Sequence, residues 1–284
     1  MGYVPSCAFN DMTLELAPTQ LSQIDDTALK QAVQSLENPN FAARLADYAG
    51  IPVNRMLGIL PKVANNQLGA LVRSAVMKSL DVAIDTLEDE PPPTPAIWFS
   101  SFLAGVTGGV SGLVGFAALP VELPLTTTFM LRAIAAIARH EGEDMSKIEA
   151  RLACLEVFAL GTKRNQQIDV GYYAARALLS KYTSDITTLV AERGAVDVSA
   201  PVVRNMVSEI VSRFGLVVSD KIAAGALPIL GAVGGATVNV IFMDHYQRIA
   251  QAHFALRRLE RTYGVANVRR RYAELVARSP TATG

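Results

Sequence analysis

The chain has 284 residues, of which 50% are hydrophobic and 18% charged, and its 26 basic and 26 acidic side chains cancel to zero. That composition excludes a disordered chain, and zero net charge argues against nucleic-acid binding as the main role. The two cysteines, Cys7 and Cys154, stand far apart without metal-ligand spacing, so they read as reduced thiols.

The zero hides an asymmetry. Residues 1–50 carry six acids against two bases, and residues 245–284 carry eight arginines against two glutamates. A basic end of this kind attracts phosphate, whether in lipid headgroups, nucleic acid or an acidic partner.

Helical periodicity dominates, and no alternating β-branched run bounded by turns appears, so the sequence predicts an all-α multi-helix bundle. The first 20 residues read as an irregular lead-in. Met1 to Ser6 fits the loose myristoylation pattern, but bulky Tyr3 speaks against it, and no basic segment followed by an apolar run marks a cleaved signal peptide. Ile24 to Glu37 is an amphipathic helix. Asn40 is placed to cap a second helix that stops at Gly50, before Pro52. Leu60 to Leu87 reads as a longer helix, ended by Glu88, Asp89, Glu90 and the PPPTP segment. That segment divides an N-terminal helical region (1–95) from the remainder (96–284).

Ala96 to Val121 follows, 26 residues without a charge and with glycines at 105, 108, 109, 112 and 115. Glu122 to Glu141 is then a helix closed by Gly142, and Asp144 or Ser146 starts another that runs to Leu160. A polar link leads to a helix from Val170 to Arg193. Pro201 fits the first turn of a helix over 202–214. A second charge-free stretch, Ile222 to Met243, runs 22 residues and continues into a charged helix that reaches Tyr263 and is closed by Gly264. A basic helix, Val265 to Arg278, ends the pattern.

Both charge-free stretches are long enough for a membrane span. Gly105/Gly109, Gly108/Gly112 and Gly231/Gly235 stand four apart, which lets helix backbones approach closely. Against a span, the first stretch lacks an adjacent Lys or Arg anchor, and Gly, Ser and Thr dilute its hydrophobicity. Two arrangements remain open: a packed helical core, or a hairpin that meets the membrane.

The Gly-rich run, the ALPVELP segment and the helix with AIAAIA form one pattern, from Gly105 to Gly161. KIAAGALPILGAVGGATVN and the helix with HFALRRLERTYG form another, from Lys221 to Gly264. In this order and spacing they resemble the EcsC family. Two departures are mild: Glu122 stands where the family often has Asp, and Glu141 where it tends to have an aromatic. The family is named for a member encoded beside an ABC transporter. The resemblance implies a bacterial protein and carries over no catalytic residue.

Glu122, between two prolines, is either a helix-start acid or a buried carboxylate with a raised pKa that could donate a proton. Arg132 shares a stripe with Thr128 and Arg139, which is either an exposed polar face or a guanidinium placed to hold Glu122, Glu156 or a lipid phosphate. Glu156 lines up with Glu149 and Lys163 at seven-residue steps and reads as part of a solvated face. His245 falls on the apolar side of its helix, where a core histidine with one hydrogen bond is the ordinary outcome and a catalytic role the sharper one. No second His or Cys stands at metal spacing, since His253 is two turns on, so neither metal nor cofactor is expected. Asn239, if buried, needs a partner and could fix the register of glycine packing. Arg257, Arg258, Arg261, Arg269, Arg270, Arg271 and Arg278 form a cluster interleaved only by Tyr263 and Tyr272. Anionic headgroups suit it better than nucleic acid.

The resulting expectation is a non-enzymatic helical accessory protein at the cytoplasmic side of the membrane, peripheral or partly inserted, with lipid or a membrane protein as partner. One alternative is a hydrolase-like enzyme using Glu122, Arg132, Glu156 and His245, which requires those side chains to converge. Another is a scaffold that self-associates through its glycine faces.

Overall fold

The computed structural model describes residues 20–50, 52, 54, 65–85, 87, 119–162, 171–225 and 231–278, with backbone alone for 65–66, 225 and 231–236. The first charge-free stretch up to residue 118, including Gly105, Gly108, Gly109 and Gly112, lies outside the described residues, as do Cys7, the proline cluster and the lead-in.

Every regular element among the described residues is α-helical. Helix α1 (Gln23–Glu37) starts at Ser22, whose hydroxyl accepts the Asp25 N–H at 3.1 Å, and carries Asp25 and Asp26 in its first turn. Helix α2 is Phe41–Ala49; Asn40 precedes it but makes no side-chain cap bond, contrary to the expectation from its residue type. Helix α3 is Asn65–Asp85. At its end and just past it, arginines from two later helices take up backbone carbonyls: Arg151 Nη1 donates to the Ile84 oxygen at 2.8 Å, and Arg139 donates to that of Leu87. Cations there complement both the free carbonyls and the negative end of the helix dipole.

Helix α4 (Leu119–His140) begins before the expected Glu122 and takes in Pro124, where the Thr127 hydroxyl donates to the Leu123 oxygen at 2.8 Å. The link after it ends in a local turn, in which Asp144 accepts from the Ser146 N–H at 3.1 Å. Because Asp144 is engaged there, α5 starts later than expected, at Ile148, and runs to Leu160. Helix α6 is Tyr172–Arg193. Helix α7 runs Pro201–Gly225, well past the expected stop at Phe214, because Gly215 is tolerated and Val217, Val218 and Ile222 continue the buried face. Helix α8 (Gly231–Tyr263) has 33 residues, and α9 is Val265–Arg278. The second charge-free stretch is thus divided between the end of α7 and the start of α8. Gly231 and Gly235 lie in the first turns of α8, and their surroundings fall outside the described residues. Gly142 and Gly264 both have φ of 82°, the left-handed conformation that lets the chain leave a helix.

Helix α8 is the axis of the bundle and touches α1, α2, α4, α5, α7 and α9. Helix α5 is buried on nearly every side, as expected for a helix apolar all round. At their crossing, Phe158, Phe214, Phe242 and Tyr246 form a linked set of rings with centroids 5.0–6.1 Å apart. Tilted and edge-on geometries prevail, which suit the ring quadrupoles.

The two oppositely charged ends of the chain meet. Arg271 grips Asp26 with two bonds at 2.8 and 3.2 Å. Arg258 reaches Asp25 at 3.1 Å and Glu141 at 2.8 Å. The Tyr263 and Tyr272 hydroxyls donate to Asp25 at 2.7 Å and to Glu37 at 2.6 Å. The arginine beside it holds Asp26 down to about 2, well below the usual carboxylate range. Beneath this polar seam, Leu29, Ala32, Val33 and Leu36 bury the apolar face of α1 in the common core.

Burial, more than charge, should hold α1 in place. Leu29→Ala is expected to cost about 3 kcal/mol. Asp26→Asn, at a partly exposed ion pair, should cost no more than about 1 kcal/mol. Urea denaturation of the two variants checks the ranking.

Candidate functional site

Most buried polar side chains among the described residues fall into two groups. The first is enclosed between α5, α6, α8 and α9. Glu156, 1% exposed, accepts from the Thr183 hydroxyl at 2.6 Å, while its Oε2 has no partner among the described residues. Burial pushes its carboxyl above the usual range, against the pull of Thr183 and of the Arg257 and Arg176 charges. This overturns the solvated face read from the seven-residue spacing: the same stripe turns inward where α6 covers α5. Nearby, Arg176 grips Glu260 through both carboxylate oxygens at 2.9 and 2.7 Å, and the Tyr173 hydroxyl donates to Glu260 at 3.0 Å. The Tyr172 hydroxyl and His253 Nδ1 are 2.9 Å apart. His253 is fully buried and kept neutral, its basicity reduced first by burial and then by Arg176 and Arg257.

His245 takes the ordinary outcome. Its Nε2 lies 3.0 Å from the Gly161 carbonyl, and since a carbonyl only accepts, Nε2 carries the proton. Burial lowers its pKa to about 4. The residue opposite must be glycine, because a Cβ on Gly161 would stand 2.8 Å from that nitrogen. Phe41 covers the ring at 5.1 Å.

The second group opens at the rim of the bundle. Glu122 sits in the first turn of α4, and its Oε1 accepts from Lys221 Nζ at 2.8 Å. Lys221 is 6% exposed, and its ammonium stands over the Phe242 ring, 4.9 Å from the centroid. Asp220 beside it is buried too. The Thr126 hydroxyl, one turn along α4 from Glu122, is buried without a partner among the described residues. The Asn239 side-chain oxygen, three residues before Phe242 on α8, is likewise buried and unpartnered there. Residues three or four apart share a helix face. Outside the pair, Val121 is 68% and Leu125 52% exposed.

Of the four residues considered for an enzyme, Glu122, Glu156 and His245 are therefore held by three different partners, and Arg132 is half-buried on α4. Sequence reasoning missed Lys221, which does carry a signal: it immediately precedes the second charge-free stretch, as Glu122 immediately follows the first. The Tyr172, Arg176, Thr183 and Glu260 network had no such signal, since each residue alone looks like part of a mixed helix face.

The arginine cluster is largely engaged within the molecule. Arg257 grips Glu143 with two bonds at 2.8 and 2.9 Å, and Arg261 reaches Glu143 and the Glu141 carbonyl. With Arg258 and Arg271 bound as above, Arg269, Arg270 and Arg278 are exposed, as is Arg261 despite its bonds, and Arg269 also lies 5.3 Å from the Tyr173 ring centroid. No group of three or more metal-ligating side chains occurs among the described residues.

The buried histidine and the buried acid give opposite pH signatures. The unfolded chain protonates His245 at about 6.5, while the folded chain does so only near 4, so stability should fall as pH drops through that window, by about 3 kcal/mol. Denaturation curves across pH check this, and His245→Gln should flatten the slope. The folded state instead favours the protonated form of Glu156, so its ionisation opposes folding above the unfolded carboxylate range. Glu156→Gln should accordingly raise the Tm at pH 8 by a few degrees and leave it nearly unchanged at pH 4.

A family model described as the EcsC protein family matches residues 27–259. The match covers both patterns noted in the sequence, from Gly105 to Gly161 and from Lys221 to near Gly264. It also reaches back through α1, α2 and α3, where the sequence patterns carried no family likeness. No curated protein and no solved structure matches the chain. The extent of the match, over most of the described bundle, shows that the chain belongs to the EcsC family.

Proposed function

We propose that the protein is a non-enzymatic helical accessory protein that attaches to the cytoplasmic face of a membrane, where it meets lipid or an integral membrane protein. The observation that carries this reading is the start of α4. Val121 and Leu125 stand four residues apart on one exposed face, directly after a stretch of 25 residues without charge. Among the described residues, α4 is also the one helix long and apolar enough to cross a membrane, with a mean hydropathy of 1.4 and half of its apolar window buried in the bundle. A helix half committed to a protein core and half apolar towards the outside fits shallow insertion better than a free span.

The internal pairing of Arg257, Arg258, Arg261 and Arg271 moves the emphasis away from the basic helix. Arg269, Arg270 and Arg278 add an electrostatic contribution, of about 1 kcal/mol per residue at an anionic surface.

Apolar attachment and electrostatic attachment separate under salt. Membrane fractionation should leave the protein in the pellet through a high-salt wash and release it, at least in part, at alkaline pH. Val121→Asp with Leu125→Asp should reduce the vesicle-bound fraction about tenfold. Arg269→Glu with Arg270→Glu should reduce it less at physiological salt. A wild-type protein that stays in the supernatant and ignores vesicles at low salt overturns the reading.

A further inference from the structure

The Glu122–Lys221 pair is physically odd. An ammonium that is 6% exposed loses most of its hydration, and one carboxylate contact plus an aromatic face seldom repays that loss better than an apolar residue would. The corner where Glu122 on α4 meets Lys221 on α7 over the Phe242 ring of α8 is unfinished as well: the Thr126 hydroxyl, one turn along α4 from Glu122, and the Asn239 oxygen, three residues before Phe242 on α8, are buried without partners among the described residues. The corner is not sealed. The Glu122 side chain is 28% exposed, and exposed Val121 and Leu125 flank it. A charged pair and an apolar lip thus occur together, with a polar atom unpartnered among the described residues one turn away on each of α4 and α8.

Those features select a ligand. A simple anion would meet Lys221 but be repelled by Glu122, and a simple cation would face the reverse. A molecule with an anionic group and an N–H-bearing ammonium a few atoms apart satisfies both members and adds no net charge. The apolar lip calls for acyl chains on the same molecule. We infer that the corner formed by Glu122, Thr126, Lys221 and Asn239 binds the headgroup of a phosphatidylethanolamine-type lipid, with phosphate on Lys221 and the primary ammonium on Glu122. Thr126 and Asn239 offer further hydrogen bonds to the headgroup, and Val121 and Leu125 meet the chains. This deepens the membrane reading above and rests on it, by naming the lipid that the attached protein selects.

The test compares the full chain on two sets of vesicles, one of phosphatidylcholine alone and one with half of it replaced by phosphatidylethanolamine. Both headgroups carry the same charges, but the quaternary ammonium of phosphatidylcholine has no N–H to give Glu122. Flotation should show about tenfold stronger binding to the ethanolamine vesicles, the scale of one or two charge-assisted hydrogen bonds. Lys221→Met and, as a milder variant, Glu122→Gln should abolish the preference while leaving binding to pure phosphatidylcholine within about twofold, since Val121 and Leu125 remain. A thermal melt of each variant confirms folding. Equal binding of the wild type to both vesicles overturns the headgroup site and leaves membrane attachment standing. Binding to neither overturns attachment itself, and the site with it. A Tm rise with soluble glycerophosphoethanolamine but no vesicle preference assigns the corner to a free zwitterion and overturns the lipid assignment.

Discussion

Everything in this bundle depends on burying α8. A helix of 33 residues that packs against α1, α2, α4, α5, α7 and α9 and is bonded to α6 keeps only a narrow polar stripe, with Arg248, Gln251 and Thr262 exposed. Its buried polar residues must find partners among the helices that cover it, and they largely do. His245 meets the Gly161 carbonyl, His253 meets Tyr172, and Glu260 meets Arg176 and Tyr173. Each of these contacts admits one register of α8 against its neighbour, because a shift of one residue would leave a buried donor or acceptor alone. The aromatic set around Phe242 and Tyr246 supplies the apolar burial, and the polar contacts fix how the helices stack.

The same logic explains the charges. The net charge of zero combines two opposite ends that are folded onto each other, so Arg258 at the end of α8 and Arg271 on α9 are paired within the molecule, while Arg269, Arg270 and Arg278 stay exposed. The rim pair is the small-scale counterpart. One charge closes the first apolar stretch, its opposite opens the second, and the two meet where α4 and α7 come together. In both places, charges that look like binding determinants in the sequence turn out to organise the fold. At the rim, Val121 and Leu125 are exposed beside the pair, and the Thr126 hydroxyl one turn from Glu122 has no partner among the described residues.

The all-α class and most helix limits were legible, because apolar periodicity and closing glycines such as Gly142 and Gly264 are local signals. The extended α7 was not: the expected helix ended at Phe214, and packing of Val217 and Val218 carries it on through Gly215. His245 was readable as a core residue from its helix face. Glu156 was not, since its seven-residue stripe fits an exposed face equally well until α6 is known to cover it. Partnerships such as Arg176 with Glu260 join residues 84 apart and leave no trace in local spacing. The EcsC likeness was visible in the small-residue patterns but not in α1 to α3, whose amphipathic residues are individually unremarkable.

The seam between the chain ends has a consequence for synthesis. Asp25 and Asp26 leave the ribosome early, whereas Arg258 and Arg271, which receive them, follow 233 and 245 residues later. At roughly 5–20 residues per second, α1 must wait on the order of ten seconds to a minute before its covering surface exists. During that interval Leu29, Val33 and Leu36 have no native place to bury. Helices α8 and α9 therefore complete the shelter of α1, and the bundle closes around it only after both have been made.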